Sequence, residues 1–152
     1  MRCGIDVGGT KIETAILSDS GEFLFRERID TPDNYTAMIR AIKAGVDSVA
    51  DDTGYDGPVG ICMPGSVSKK TGLIQGANTT YLNGQNFQKD LQATLNRAVR
   101  LSNDANCFAL SEALEGAGAG ANVVFGVIIG TGCGGGIIAV SYTHLRAHET
   151  LL

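Results

Sequence analysis

The chain places three extended segments ahead of its first helix, and that order constrains its fold more than any other feature. Residues 3–7, 12–17 and 22–29 read as short strands. In the second, Ile12, Thr14 and Ile16 alternate with Glu13, Ala15 and Leu17, the two-residue period of a half-buried strand. Ser18-Asp19-Ser20-Gly21 is a turn signal, so the second and third segments form a hairpin. Thr31-Pro32-Asp33 ends the extended run. Tyr35, Met38, Ile39, Ile42, Val46 and Val49 then recur at helical spacing, with Asp33 or Asn34 to cap the helix and Thr53-Gly54 to end it. Pro58–Met63 is a short apolar strand, and Pro64-Gly65-Ser66 turns it into a polar, Gly-rich stretch that reaches Gly84. The spacing of Phe87, Leu91 and Leu95 predicts a helix over about Phe87–Ala98, followed by a minimal strand at Val99–Leu101. Asn103-Asp104 opens a third helix, about Ala105–Leu114, and Val123–Ile129 and Gly136–Val140 are two more strands joined by Gly130–Gly135. Neither a simple parallel sheet nor an all-β sandwich gives this order. It suits an α/β fold: a mixed sheet whose first three strands meander antiparallel and whose later strands enter through helices.

Composition narrows the function classes. Apolar residues make up 43% and charged residues 18% of the 152, enough to bury a core and too apolar for a disordered chain. Net charge is −4, and no Lys/Arg stripe is visible, which argues against nucleic-acid binding as the main task. The longest apolar stretches, near Val123–Ile129 and Ile137–Val140, fall far short of the ~20 residues a membrane span needs. An acidic residue and glycines stand where a signal peptide needs its apolar run, so a cytoplasmic location is expected. Cys3, Cys62, Cys107 and Cys133 form no Cys-x-x-Cys pair and read as small core or turn residues in a reducing compartment. His144 and His148, followed by Glu149, match neither zinc-protease pattern.

Three segments carry candidate chemistry. In Gly4-Ile5-Asp6-Val7-Gly8-Gly9-Thr10-Lys11 a buried strand enters a double-Gly turn and a second strand leaves it. Such a turn can aim backbone N–H groups at one anion. Thr10 adds a hydroxyl and Lys11 a positive charge, while Asp6, which repels phosphate, suggests a bridging cation. A P-loop is rejected, because Thr10 and Lys11 stand in reverse order and the turn opens a strand instead of a helix. The plain alternative is an ordinary hairpin turn. The second segment, Gly130-Thr131-Gly132-Cys133-Gly134-Gly135-Gly136, contains Gly-x-Gly-x-x-Gly, but the strand-like Ile137-Ile138-Ala139-Val140 follows where a dinucleotide fold needs a helix. Two Gly-rich strand-turn-strand elements, each with a Thr, suggest a phosphate chain clamped from two sides; a flexible hairpin is the alternative. In the third, Leu101-Ser102-Asn103-Asp104, a strand ends on a carboxylate at a helix start. Asn and Asp are favoured helix caps, and a cap competes with a role for Asp104 as general base and Asn103 as a substrate contact.

Together these segments resemble a known family. Asp6-Val-Gly-Gly-Thr-Lys11, Met63-Pro-Gly65, Asn103-Asp-Ala-Asn106 and Gly130-Thr-Gly-Cys-Gly-Gly-Gly136 occur in the order and spacing of the ROK sugar kinases, named for repressor, open reading frame, kinase. Within that family Ile74–Asn86 looks most like bacterial fructokinase of the manno(fructo)kinase type, with the N-acetylglucosamine kinases next. The resemblance covers about residues 1–140. It implies an actin/hexokinase-like (ribonuclease H-like) fold of two lobes around a cleft. It further implies ATP-dependent phosphorylation of a hexose hydroxyl, fructose to fructose 6-phosphate by the segment likeness, with an N-acetylglucosamine or glucose kinase as the alternative. By that resemblance ATP phosphates are held by Gly4, Asp6, Gly8, Gly9, Thr10 and Lys11 and by Gly130, Thr131, Gly132, Cys133, Gly134, Gly135 and Gly136. Asp6 acts on Mg²⁺ through water, Asp104 is the catalytic base, and Pro64, Gly65, Ser66, Asn78, Asn103 and Asp104 line the sugar. The family's usual dimer is expected of a full-length parent.

The pattern stops short of the family's length. Ser141–Leu152 does not continue it, and reads as a foreign tail on a truncated gene. The division expected is 1–120 as the N-terminal lobe, 121–140 as the first hairpin of a second lobe and 141–152 as tail. The family's Glu-x-Gly-His sugar segment, zinc-type Cys cluster and adenosine pocket lie beyond these residues; zinc therefore belongs, if anywhere, to a longer parent. On this reading 152 residues alone do not catalyse. Two other readings compete: a non-catalytic sugar-binding module, and a family transcription regulator. The second needs a helix-turn-helix for which the five residues before Asp6 leave no room.

Overall fold

The computed structural model describes residues 1–129, 133–141 and 144–148, the segment from Val140 onward by its backbone. The strands are β1 (Arg2–Val7), β2 (Lys11–Leu17), β3 (Phe23–Asp30), β4 (Val59–Met63), β5 (Ser66–Val67), β6 (Ile74–Gln75), β7 (Val99–Asn103), β8 (Val123–Ile129), β9 (Cys133–Ser141) and β10 (His144–His148). The helices are α1 (Tyr35–Thr53), α2 (Phe87–Leu95) and α3 (Asp104–Glu115), with one 3₁₀ turn at Thr80–Leu82. The chain divides into two compact units, Met1–Ser102 and Asn103–Leu152.

The expected mixed sheet is present, in the order β3-β2-β1-β4-β7. β1 pairs antiparallel with β2 and parallel with β4, with Asp6 beside Cys62 in the second register. Alternation decides which face is covered. Cys3, Ile5 and Val7 of β1 and Ile12, Thr14 and Ile16 of β2 are buried, whereas Gly4 and Asp6 are exposed. The buried side packs with Met38, Ile42, Val46 and Val49 of α1 and Phe87 and Leu91 of α2. Gly45 lets α1 come in close: a Cβ there would stand 2.8 Å from Thr14 Oγ1.

The caps explain the helix bounds. Asn34 accepts from the Ala37 N–H at 2.9 Å, and Gly54, at φ +69°, ends α1 with its N–H donating to Ala50 O. α2 ends three residues earlier than its periodicity predicts, because Asn96 turns left-handed at φ 51°. Asparagine tolerates that conformation, which composition alone did not mark. The stretch between Ser66 and Gly84, read only as polar and Gly-rich, contains the β5–β6 hairpin and the 3₁₀ turn.

In the second unit α3 packs on the sheet β10-β9-β8 through Ala109, Ala113 and Ile138, with Leu110 and Val124 beside them. The approach is close because two strand residues lack side chains. A Cβ on Gly126 would meet Ala109 Cβ at 2.9 Å, and one on Gly136 would meet Ala105 O at 2.5 Å.

Candidate nucleotide and sugar site

In the first unit the double-Gly turn sits between β1 and β2. Gly8 N–H donates to Lys11 O at 2.8 Å, Thr31 N–H to Thr10 O at 2.9 Å and Thr31 Oγ1 to Gly8 O at 2.8 Å. None of these bonds uses Gly9, which is exposed together with Thr10. The turn is therefore held at its two ends and open at its tip, as an anion cradle requires. Lys11, expected to face phosphate, pairs with Asp30 across the β2–β3 ladder. Its ammonium also holds the Asp30 carboxyl below the usual range, chiefly through their hydrogen bond. The cross-strand register puts them opposite one another, which a linear reading of the motif does not reveal.

Asp6 stands on the exposed face of the sheet, three residues before Gly9 at that tip. Among the described residues no three His, Cys, Asp or Glu gather as a metal set. A cation held here would need phosphate oxygens and water to complete its shell, a donor set that would suit Mg²⁺.

The Met63-Pro64-Gly65 turn and the 74–86 segment meet in the same unit. Gly65 has φ +81°, and a Cβ on it would lie 2.6 Å from Gln75 O and 2.7 Å from Ala77 N. Asn83 closes the following loop: Ala77 N–H donates to its Oδ1 and its Nδ2 donates to Ala77 O, both at 2.9 Å. Tyr81 Oη donates to Pro32 O at 2.5 Å, tying the loop to the segment just after Thr31. Pro64 is buried, Gly65 and Ser66 are half-buried, and Asn78 is exposed. Sequence reasoning missed Thr79. Its Oγ1 lies 3.9 Å from the point a Gly9 Cβ would occupy, so this loop abuts the double-Gly turn.

In the second unit Asn103 caps α3, its Oδ1 accepting from Ala105 N–H at 3.0 Å and Asn106 N–H at 3.4 Å. Asp104 is the first residue of the helix, half-buried, with Oδ1 accepting from Ala105 N–H at 2.8 Å. Asn103 therefore supplies the cap, and Asp104 adds a second acceptor to the Ala105 N–H. Of the second Gly-rich segment, Gly130, Thr131 and Gly132 lie outside the described residues. Cys133 is exposed, and Gly134 and Gly135 are half-buried. Gly136 is spent on the close approach of α3.

A family model, the ROK family, matches residues 2–144. The chain belongs to the ROK family. It is 41% identical over 139 residues to an N-acetyl-D-glucosamine kinase of Photobacterium profundum, covering 91% of this chain and 46% of that protein. An N-acetylgalactosamine kinase of Shewanella sp. is 39% identical over 150 residues, covering 98% and 48%. Among solved structures, a ROK family glucokinase from Streptomyces griseus in complex with glucose and AMPPNP superposes with a TM-score of 0.82 at 32% identity, over 95% of this chain and 46% of that one. These likenesses establish the actin/hexokinase-like fold. The chain spans about half the length of the curated relatives it matches. The likeness of Ile74–Asn86 pointed first to fructokinase and next to the N-acetylglucosamine kinases; the two curated relatives named above carry N-acetylhexosamine kinase names and lend fructose no support. Within that segment Ala77 and Asn83 bond to each other, so these two residues serve the shape of the loop.

Proposed function

We propose that this chain is the phosphate- and sugar-gripping half of an ATP-dependent hexose kinase, with an N-acetylhexosamine as the favoured acceptor. The observation that carries the reading is the junction of the open double-Gly turn with the 77–83 loop at Gly9 and Thr79. A phosphate cradle beside a sugar-type loop is what transfer between the two requires. The names of the relatives supply the sugar class, with fructose now the lesser candidate.

Phosphoryl transfer asks for positioning and charge neutralisation more than covalent help. A sugar hydroxyl attacks the γ-phosphorus in line, the new P–O bond forms, and the bond to the β-phosphate bridging oxygen breaks to leave ADP. Asp104 accepts the hydroxyl proton. Mg²⁺, when bound, neutralises phosphate charge, and Asp6 orients its water shell. Gly9 and Thr10 offer donors to the phosphate chain, Gly8 fixes the turn through its bond to Lys11 O, and Gly134–Gly135 extend the cradle with the rest of the second turn. Pro64, Gly65, Ser66, Asn78 and Asn103 shape the acceptor side. We further propose a cytoplasmic dimer for the intact protein; no described helix is long and apolar enough to cross a membrane.

The test is ADP release by the full gene product with N-acetylglucosamine, N-acetylgalactosamine, glucose, mannose and fructose. The expected order puts an N-acetylhexosamine first by kcat/KM. Asp104→Asn keeps the shape and removes the proton acceptor, so sugar binding by calorimetry survives while turnover falls about 10²- to 10⁴-fold. Near-normal turnover in that variant removes Asp104 from the mechanism, and fructose in first place restores the fructokinase reading.

A further inference from the structure

Thr79 is buried to 8% exposure, and its Oγ1 is the one buried side-chain polar atom among the described residues that has no hydrogen-bond partner. Leaving such a hydroxyl unpaired is unfavourable, so a partner supplied by a ligand-bound arrangement is a gain. Its surroundings are well tied. Asn83 clamps Ala77 from both sides, and Tyr81 anchors the loop to Pro32. The hydroxyl is thus held in place, not left over in a loose loop. Thr79 Oγ1 lies 3.9 Å from where a Cβ on Gly9 would be, and Gly9 itself is exposed. The bonds that fix the turn run through Gly8, Thr10, Lys11 and Thr31 and pass Gly9 by.

A peptide's N–H and C=O point in opposite directions, so turning one outward turns the other inward. An anion on the outer side of the turn favours outward N–H groups. When the Gly9–Thr10 peptide presents the Thr10 N–H to it, the Gly9 carbonyl faces in, toward Thr79. We propose that Thr79 is a positioning residue for the phosphate cradle: in the phosphate-bound arrangement its hydroxyl donates to the Gly9 carbonyl and locks that peptide with the Thr10 N–H outward. Gly9 has the freedom to rotate, and the buried hydroxyl gains the partner it lacks. This inference rests on the kinase reading for the identity of the anion.

The test uses the full gene product and three variants. Thr79→Val keeps the shape and removes the donor; Thr79→Ser keeps the donor. The expected result for Thr79→Val is a rise of about tenfold in the KM for Mg·ATP with the sugar KM unchanged, recovered in Thr79→Ser. Because the hydroxyl is unpaired without ligand, the ligand-free Tm of Thr79→Val is equal to or above wild type. Gly9→Ala has room for its methyl group in the free protein, and it too loses Mg·ATP affinity by hindering the rotation. An unchanged KM for Mg·ATP in Thr79→Val overturns the proposal. So does a lowered ligand-free Tm with both KM values raised together, which marks plain packing. Thermal stabilisation by Mg·AMPPNP separates the two readings. If wild type is stabilised but phosphorylates no sugar, the acceptor assignment fails and the Thr79 test proceeds on the AMPPNP shift. If wild type is neither stabilised nor active, both fall.

Discussion

Two neighbours, Asn103 and Asp104, show how a single residue step separates structure from chemistry. The amide oxygen of Asn103 closes two N–H groups at the start of α3, and the carboxylate of Asp104 stands in the first turn. The four cysteines divide as sharply. Cys3 is buried in the core, and burial pushes its thiol up to about 11, with Arg97 opposing weakly. Thiolate is the reactive form, so Cys3 is the last to be alkylated in the native chain. Iodoacetamide at pH 8 followed by peptide mass mapping is expected to label exposed Cys133 first and Cys3 only after denaturant is added. Early labelling of Cys3 means that β1 opens more readily than its packing indicates.

At the scale of elements, the β2–β3 pair is fastened by Glu13, which accepts from Arg26 Nε at 2.7 Å and Arg28 Nε at 2.6 Å. The hydrogen bond from Arg26, ahead of that from Arg28, holds the Glu13 carboxyl below its usual range. A lowered folded pKa gives stability that is present above the unfolded value and lost as pH falls through the folded one. Glu13→Gln is therefore expected to melt a few °C below wild type at pH 7, with the gap closing in acid below about pH 4. A gap that persists at pH 2.5 assigns the loss to packing. The elements themselves were largely legible in the residues. The alternation in β2, the stripe of α1 and the turn at Ser18–Gly21 each state a period or a break, and periods survive into the fold. What was not legible depends on contact. Nothing in the α1 stripe marks Gly45 as the place where the helix meets Thr14, and nothing in the motif places Lys11 opposite Asp30. The same holds for the site. The glycines and carboxylates announced themselves by type and spacing, whereas Thr79, a plain threonine, declares itself only by what it fails to touch.

At the scale of the molecule, one face of β8 leaves apolar side chains exposed. Val123, Phe125, Val127 and Ile129 share it, at 61%, 64%, 44% and 83% exposure. A contiguous apolar strand face of this kind favours association between chains. The 152-residue chain is accordingly expected to self-associate in sedimentation velocity at tens of micromolar, and Phe125→Lys with Ile129→Lys to shift it toward monomer. A sharp monomer boundary for the unaltered chain contradicts this. The parallel pairing of β1 with β4 has a different kind of consequence, one of timing. β2 follows β1 at once and can cover one of its edges, with β3 paired behind it, while the chain is still being made. The other edge waits for Val59–Met63, roughly fifty residues later, or about 3–10 s at ordinary rates of synthesis. During that interval the strand that carries Asp6 is a half-finished template on the ribosome. A synonymous slowing of translation just before residue 59 lengthens its exposure without changing a single side chain.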